Sequence, residues 1–286
     1  MTLSRYTWHS VWFWRIAVLL ILLTVWQWGF SLQPKLPWLV PSFIDPYFIS
    51  TPTGVLHKLS HMACMTDEEG QLLPGRSGAV AACFSATDNN LLAAISATLR
   101  NTFWGFALGV STGFAVGLLL GRSPFWASVF DPYIVGFNSV PRIALVPLIV
   151  LIFGLGDASK ILTAWLIVFF VVFFNTFGGA RQVQRDLVHV ARVLGATNWQ
   201  VMTRTVIPST LEWVFASLVP SVSFALIGVI VGEFIGSEQG LGRLIIEAQG
   251  RGDAAAMMAT LSVLVLIGVM LSGLIHQLQE YLLRWR

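Results

Sequence analysis

Apolar and polar residues alternate along this chain in long blocks rather than in the short periods of a soluble fold. Residues 16–32 are uncharged, and with the Trp12, Phe13 and Trp14 flank they reach the roughly 20 apolar residues that a transmembrane helix needs. Further blocks at about 103–121, 129–155, 161–180, 213–232 and 254–275 bring the expected number of spans to six.

Several blocks carry internal punctuation. In the second, Gly105, Gly109, Gly113, Gly117 and Gly121 fall four apart, which places them on one face and lets another helix approach closely, within the chain or across a dimer. The third holds Pro132, Pro141 and Pro147; each removes a backbone donor, so this span is expected to be kinked or broken where it lines a cavity. Arg142, costly in hydrocarbon, should face protein or water there, as an anion contact or as a structural pair. Pro220, Ser221 and Ser223 interrupt the fifth block and suit either a pore wall or helix packing.

Between the fourth and fifth blocks lies a polar island, residues 180–212. Leu187, Val190, Ala191 and Leu194 recur at helical spacing and Gly195 follows as a stop. A second short helix is expected to start at Thr197 or Asn198 and to end before Pro208. Arg181, Arg185, Arg192 and Arg204 make the island basic, which turns it to the cytoplasm. Two helices and a glycine turn form a knob suited to docking in a groove of another protein; an amphipathic loop lying on lipid is the alternative.

With the island inside, both termini are inside too. Nine Lys and Arg residues then lie in inner segments and seven in outer ones, two of these, Lys58 and Arg76, well within a long loop, where the rule says little. The first block is expected to be an uncleaved span, because Trp26, Gln27 and Trp28 stand where a signal peptidase needs small residues. Residues 33–100 are then extracytoplasmic. There Cys64 and Cys83 either form a disulfide, closing a loop of about 20 residues worth roughly 3 kcal/mol in the chain-entropy model, or remain two thiols. His57 and His61 are one helical turn apart, but no glutamate follows His57, so the zinc-protease pattern is absent.

Composition agrees with a membrane protein: 56% of residues are hydrophobic and 11% charged, against about 25% charged in soluble domains. A net charge of +3 over 286 residues gives no reason to expect nucleic acid. A P-loop needs Gly-Lys-Ser/Thr, yet none of Lys35, Lys58 and Lys160 follows a glycine. The five histidines, at 9, 57, 61, 189 and 276, all fall outside the span cores. No catalytic residue, metal site or cofactor of its own is expected, and any nucleotide hydrolysis must come from another subunit.

The island motif Ala191-Arg-Val-Leu-Gly-Ala196, with Ile207-Pro208 following, resembles the cytoplasmic coupling loop of ABC-importer permeases. That loop usually opens Glu-Ala-Ala, where this chain has His189-Val190-Ala191, and no role of the glutamate passes to His189. Val140-Pro-Arg-Ile-Ala-Leu-Val-Pro-Leu148, Phe153-Gly-Leu-Gly-Asp-Ala-Ser-Lys160, Asn175-Thr176, Gly232-Glu-Phe and Gly240-Leu-Gly242 extend the likeness. From about Leu91 to the carboxyl end the chain resembles the nitrate, sulfonate, taurine and bicarbonate permeases, with residues 61–90 as an insertion.

The resemblance implies an all-α membrane protein with six transmembrane helices of the type I importer fold, like the molybdate and methionine permeases, and a coupling helix between spans four and five. It divides the chain into a tail and first span (1–32), an extracytoplasmic segment (33–100) and a permease core (101–286). It implies a homodimer in the bacterial inner membrane, with two copies of a cytoplasmic ATPase that binds ATP and magnesium, and a substrate-binding protein outside. Val190, Ala191, Leu194, Gly195, Ala196, Ile207 and Pro208 would couple to the ATPase. Pro141, Arg142, Pro147, Ser221, Ser223 and Glu233 are the candidates for the substrate pathway. Sulfonates, taurine, nitrate, bicarbonate and aromatic carboxylates are the expected cargo, with heterocycles such as pyrimidine precursors as the alternative. A secondary transporter or channel is the reading from another class, but only Asp131, Arg142 and Glu233 stand near enough to the membrane interior to couple an ion.

Overall fold

The computed structural model describes residues 8–32, 50–63 and 91–282, and among these every regular element is a helix. Cys64 and Cys83 lie outside the described residues. In chain order the helices are α1 (Trp8–Leu32), α2 (Pro52–Met62), α3 (Leu91–Arg122), α4 (Pro124–Ser139), α5 (Val146–Phe153), α6 (Asp157–Arg181), α7 (Arg185–Val193), α8 (Asn198–Val201), α9 (Ile207–Phe234), α10 (Leu241–Arg251) and α11 (Ala254–Leu282). A 3-10 turn, Arg142–Leu145, leads into α5, and a π-helical turn, Met202–Val206, joins α8 to α9.

Four helical stretches are long and apolar enough to cross a membrane: α3, α6, the continuous run Asn198–Phe234, and α11. The two arms 124–137 and 142–153, meeting at 81°, pass the same test only as a pair, as a broken span or a re-entrant loop. The shorter apolar helical stretch Phe13–Trp28 lies within α1. The expected break in the third block is therefore present, and the prolines mark it. Pro141 caps the 3-10 turn and Pro147 stands in the first turn of α5, where a missing N–H costs nothing.

Two boundaries differ from the sequence expectation. Helix α3 begins at Leu91, twelve residues before the apolar block, and its added turns bury Thr98, Asn101 and Thr102. At 1.5 Å per residue it is roughly 48 Å long, so its polar turns reach past the hydrocarbon and pair within the protein. The helix after Thr197 also does not end before Pro208. It widens into the π turn, in which the Ile207 N–H donates to the Met202 carbonyl, and continues as α9. The wider turn accommodates a proline whose ring would otherwise crowd the carbonyl four residues back.

The chain divides into two compact units. The larger comprises residues 92–243 and 264–286. Its core is the α6–α9 pair, where Ala164, Val168 and Val172 pack with Val214, Leu218, Val222, Ala225 and Val229, joined by Ile275 of α11. Lipid tails are as apolar as these side chains, so close packing holds the helices together. The five glycines of α3 make it possible along α6. A β-carbon at Gly109 would lie 2.6 Å from Val168, one at Gly113 2.8 Å from the Phe169 carbonyl, and one at Gly117 2.9 Å from the Phe173 carbonyl. The glycine face thus packs within one chain.

The smaller unit comprises residues 1–91 and 244–263. There the Trp26 indole donates to the Ser50 carbonyl at 2.8 Å and Gln27 pairs with Thr53. Lys58 bonds Asp253 at 2.8 Å, and Asp253 also accepts from the Ala256 amide at the start of α11. Partial burial opposes the Asp253 charge, but the Lys58 ammonium and that amide outweigh it and hold the carboxyl below its ordinary value.

Candidate functional site

The island is built to be stiff. Helix α7 ends in a left-handed turn: Gly195 has φ +85°, the Ala196 amide donates to the Ala191 carbonyl at 3.0 Å and the Gly195 amide to Arg192 at 2.9 Å. This is the double bond pattern that closes helices at a glycine. Thr197 then opens α8 with a reciprocal cap, accepting from the Gln200 amide while its own amide donates to the Gln200 side chain at 2.9 Å. Val188, Val201 and Val206 are buried with Leu118 of α3 and Ala180 of α6, and Ala191, Ala196 and Ile207 pack against them. The knob is therefore seated on the ends of two membrane helices.

What it presents outward is apolar. Val193 is 87% exposed, Leu194 81% and Trp199 74%, with Leu187 and Val190 about half exposed. Of the four residues at helical spacing, only Ala191 turns inward. Pro208 is exposed at the base of the island. Large apolar side chains held out on a capped knob, ringed by the exposed Arg192 and Arg204, form the kind of patch that meets another protein or a lipid surface.

The six pathway candidates do not converge on one point. Arg142, half-buried at the break between α4 and α5, lays its guanidinium 5.1 Å from the centre of the Phe170 ring of α6, a distance at which the ring face attracts the cation. Pro141 and Pro147, before and after it in the chain, are exposed. On α9, Ser221 is fully buried, whereas Ser223 is half-buried with its hydroxyl 3.4 Å from that of Ser272 of α11. Glu233 stands twelve residues beyond Ser221, about 18 Å along the helix.

Glu233 is 1% exposed and sits in a polar network at the end of α9 opposite the island. Its Oε1 accepts from the Thr98 hydroxyl at 2.8 Å, and its Oε2 accepts from the Gly242 amide at 2.7 Å. Thr98 Oγ1 in turn accepts from the Leu241 amide at 3.0 Å. Lys160, also buried, packs its chain against Gly232 and places its ammonium 3.4 Å from Asp157, which further bonds Asn101 and Arg100. The motif glycines follow from this crowding. Gly240 has φ +124° and a β-carbon there would fall on the Glu233 carboxylate, while one at Gly242 would lie 2.8 Å from the Glu233 β-carbon. Sequence reasoning passed over Thr98 and Asn101; the signal was three polar residues at helical spacing, Thr98, Asn101 and Thr102, at the start of an apolar helix.

A bundle of membrane-length helices with no strand among the described residues is a multi-pass membrane fold. The fold is that of a methionine ABC transporter in an inward-facing conformation, with a TM-score of 0.57 at 20% identity over 67% of this chain and 95% of that one. Residues 109–285 match the binding-protein-dependent transport system inner membrane components, and the chain belongs to that family. It is an inner-membrane transport subunit. A protein named as an aliphatic sulfonates transport permease of Bacillus subtilis is 33% identical over 64% of this chain and 66% of its own length. The taurine transport system permease protein of Escherichia coli is 29% identical over 94% and 88%. The formylaminopyrimidine transport permease protein of Halalkalibacterium halodurans is 32% identical over 63% and 74%.

Proposed function

We propose that this permease passes a small anion through a homodimer by alternating access, driven by two cytoplasmic ATPase subunits that dock on the island and fed by a substrate-binding protein outside. The observation that carries this reading is the exposed set Leu187, Val190, Val193, Leu194 and Trp199 on a knob seated on α3 and α6. Val190, Ala191, Leu194, Gly195 and Ala196 form the coupling element, and Ile207 and Pro208 join it to α9. ATP and magnesium belong to the partner ATPase. Closure of the ATPase pair moves the islands and rocks the broken span and α9 between outward-open and inward-open states. Six spans with both termini cytoplasmic, α1 being the first, complete the arrangement, and residues 101–286 form the permease core.

Pro141, Arg142, Pro147, Ser221 and Ser223 are assigned to the pathway. Arg142 at the break favours an anionic cargo, and the sulfonate and taurine names of two relatives support that class. The formylaminopyrimidine name of the third supports a heterocycle as the alternative. The test is purification of the protein from its native membrane, wild type beside Gly195→Trp, with identification of bound chains and measurement of ATP hydrolysis. A P-loop ATPase that accompanies the wild type and is lost or uncoupled in the variant is the expected result. Transport-competent protein with no ATPase attached, indifferent to Gly195, would replace this reading with a secondary carrier.

A further inference from the structure

Glu233 makes contacts that a substrate ligand would not need. Both its oxygens accept hydrogen bonds from groups of the chain itself, and two of the three donors in the network are the first amides of α10. A helix start leaves its amides without partners inside the helix. Here a carboxylate from α9 and a hydroxyl from α3 supply them, at a site where Glu233, Thr98, Leu241 and Gly242 are all buried. Buried polar groups are costly when unpaired, so separating α10 from this pair would leave the second carboxylate oxygen and two amides without partners. The two glycines that let α10 approach, Gly240 and Gly242, serve the same contact.

We propose that Glu233 is a positioning residue: with Thr98 it latches the residues that open α10, Leu241 and Gly242, to the ends of α3 and α9, so that the Gly240–Gly242 turn moves with these two helices during transport. The latch joins the Gly232-Glu-Phe and Gly240-Leu-Gly242 motifs into one device. It rests on the importer reading only for its role in transport, since the contact itself is a property of the chain. Neutralising the charge should matter little, because a glutamine can accept from Gly242 and donate to Thr98, whereas alanine removes the contact.

The experiment is amide hydrogen exchange of the purified complex in lipid nanodiscs, comparing wild type, Glu233→Ala, Glu233→Gln and Thr98→Val, with ATP hydrolysis measured on the same samples. Glu233→Ala should speed exchange of the Leu241 and Gly242 amides by about tenfold or more while the α6 amides keep their rates. Glu233→Gln should stay within about threefold of wild type in exchange and should restore ATP hydrolysis disturbed by the alanine. If Glu233→Ala does not fold, Thr98→Val carries the test, with the Leu241 amide freed by a similar factor. Unchanged exchange at 241 and 242 in the folded variants overturns the latch. So does a glutamine variant as defective as alanine, the mark of a charge that meets substrate. A wild-type complex that hydrolyses no ATP overturns the transport role and the importer reading together, leaving the exchange results to judge the contact alone.

Discussion

Two neighbouring glycines in α6 show how much a single position can differ from the next. A β-carbon at Gly178 meets nothing within 4 Å, whereas one at Gly179 would lie 2.6 Å from the Trp213 ring and 2.8 Å from its β-carbon. The crowding atoms are at the root of the indole side chain, which cannot swing aside without moving α9. Gly178→Ala should therefore be neutral or stabilising by up to about 1 kcal/mol, from the entropy glycine forfeits in a helix. Gly179→Ala should cost about 1–3 kcal/mol, the usual range for overpacking. Thermal unfolding midpoints of the two purified variants against wild type decide the matter; equal shifts would mean that the Trp213 contact yields freely. Gly195 is a third case, with open space around it but φ +85°, so there any side chain is strained by conformation rather than by collision.

At the level of elements, the α3–α6 seam depends on backbone approaching backbone. Gly113 and Gly117 face the carbonyls of Phe169 and Phe173, so a larger residue has to part the helices. Gly113→Leu should lower the unfolding midpoint of the purified permease by an amount corresponding to at least about 1–3 kcal/mol. Leu119→Ala, on the exposed side of the same helix, should change it little, because lipid fills the space. A seam variant no less stable than the exposed-side one would mean that the glycines are not the packing surface. The close-packing glycines were legible in the sequence, because residues four apart are neighbours on a helix surface, although their partner, within the chain or across a dimer, was left open; the break at Pro141 and Pro147 was legible too. The passage of the helix through Pro208 was not. A proline reads locally as a stop, whereas here the turn at 202–206 widens and the helix runs on, with Val201 and Val206 buried beside Leu118 and Ala180. The Glu233 network was legible only in part. Glu233 and the Gly240-Leu-Gly242 motif stood out, but Glu233 meets Thr98 across 135 residues, and no local pattern announces a pairing at that range.

For the molecule as a whole, the proposed function stands or falls on which side of the membrane the island faces. Arg181, Arg185, Arg192 and Arg204 stand in or beside the island, and basic residues close to span ends are retained on the cytoplasmic side. Helix α9 then carries the chain across, so that α10 and the Glu233 latch face outward. Single cysteines at Gln182 and Gln249, both exposed positions, introduced into a Cys64→Ser, Cys83→Ser background, report the two sides separately. In intact cells a membrane-impermeant maleimide should label Gln249→Cys and leave Gln182→Cys untouched until the membrane is opened. The opposite pattern would put the apolar knob where no cytoplasmic ATPase can reach it, and would remove the coupling role of Leu194 and Gly195. Labelling of both in intact cells would mean that an odd number of crossings does not separate α6 from α10, and the count of spans, not only their direction, would have to be redrawn.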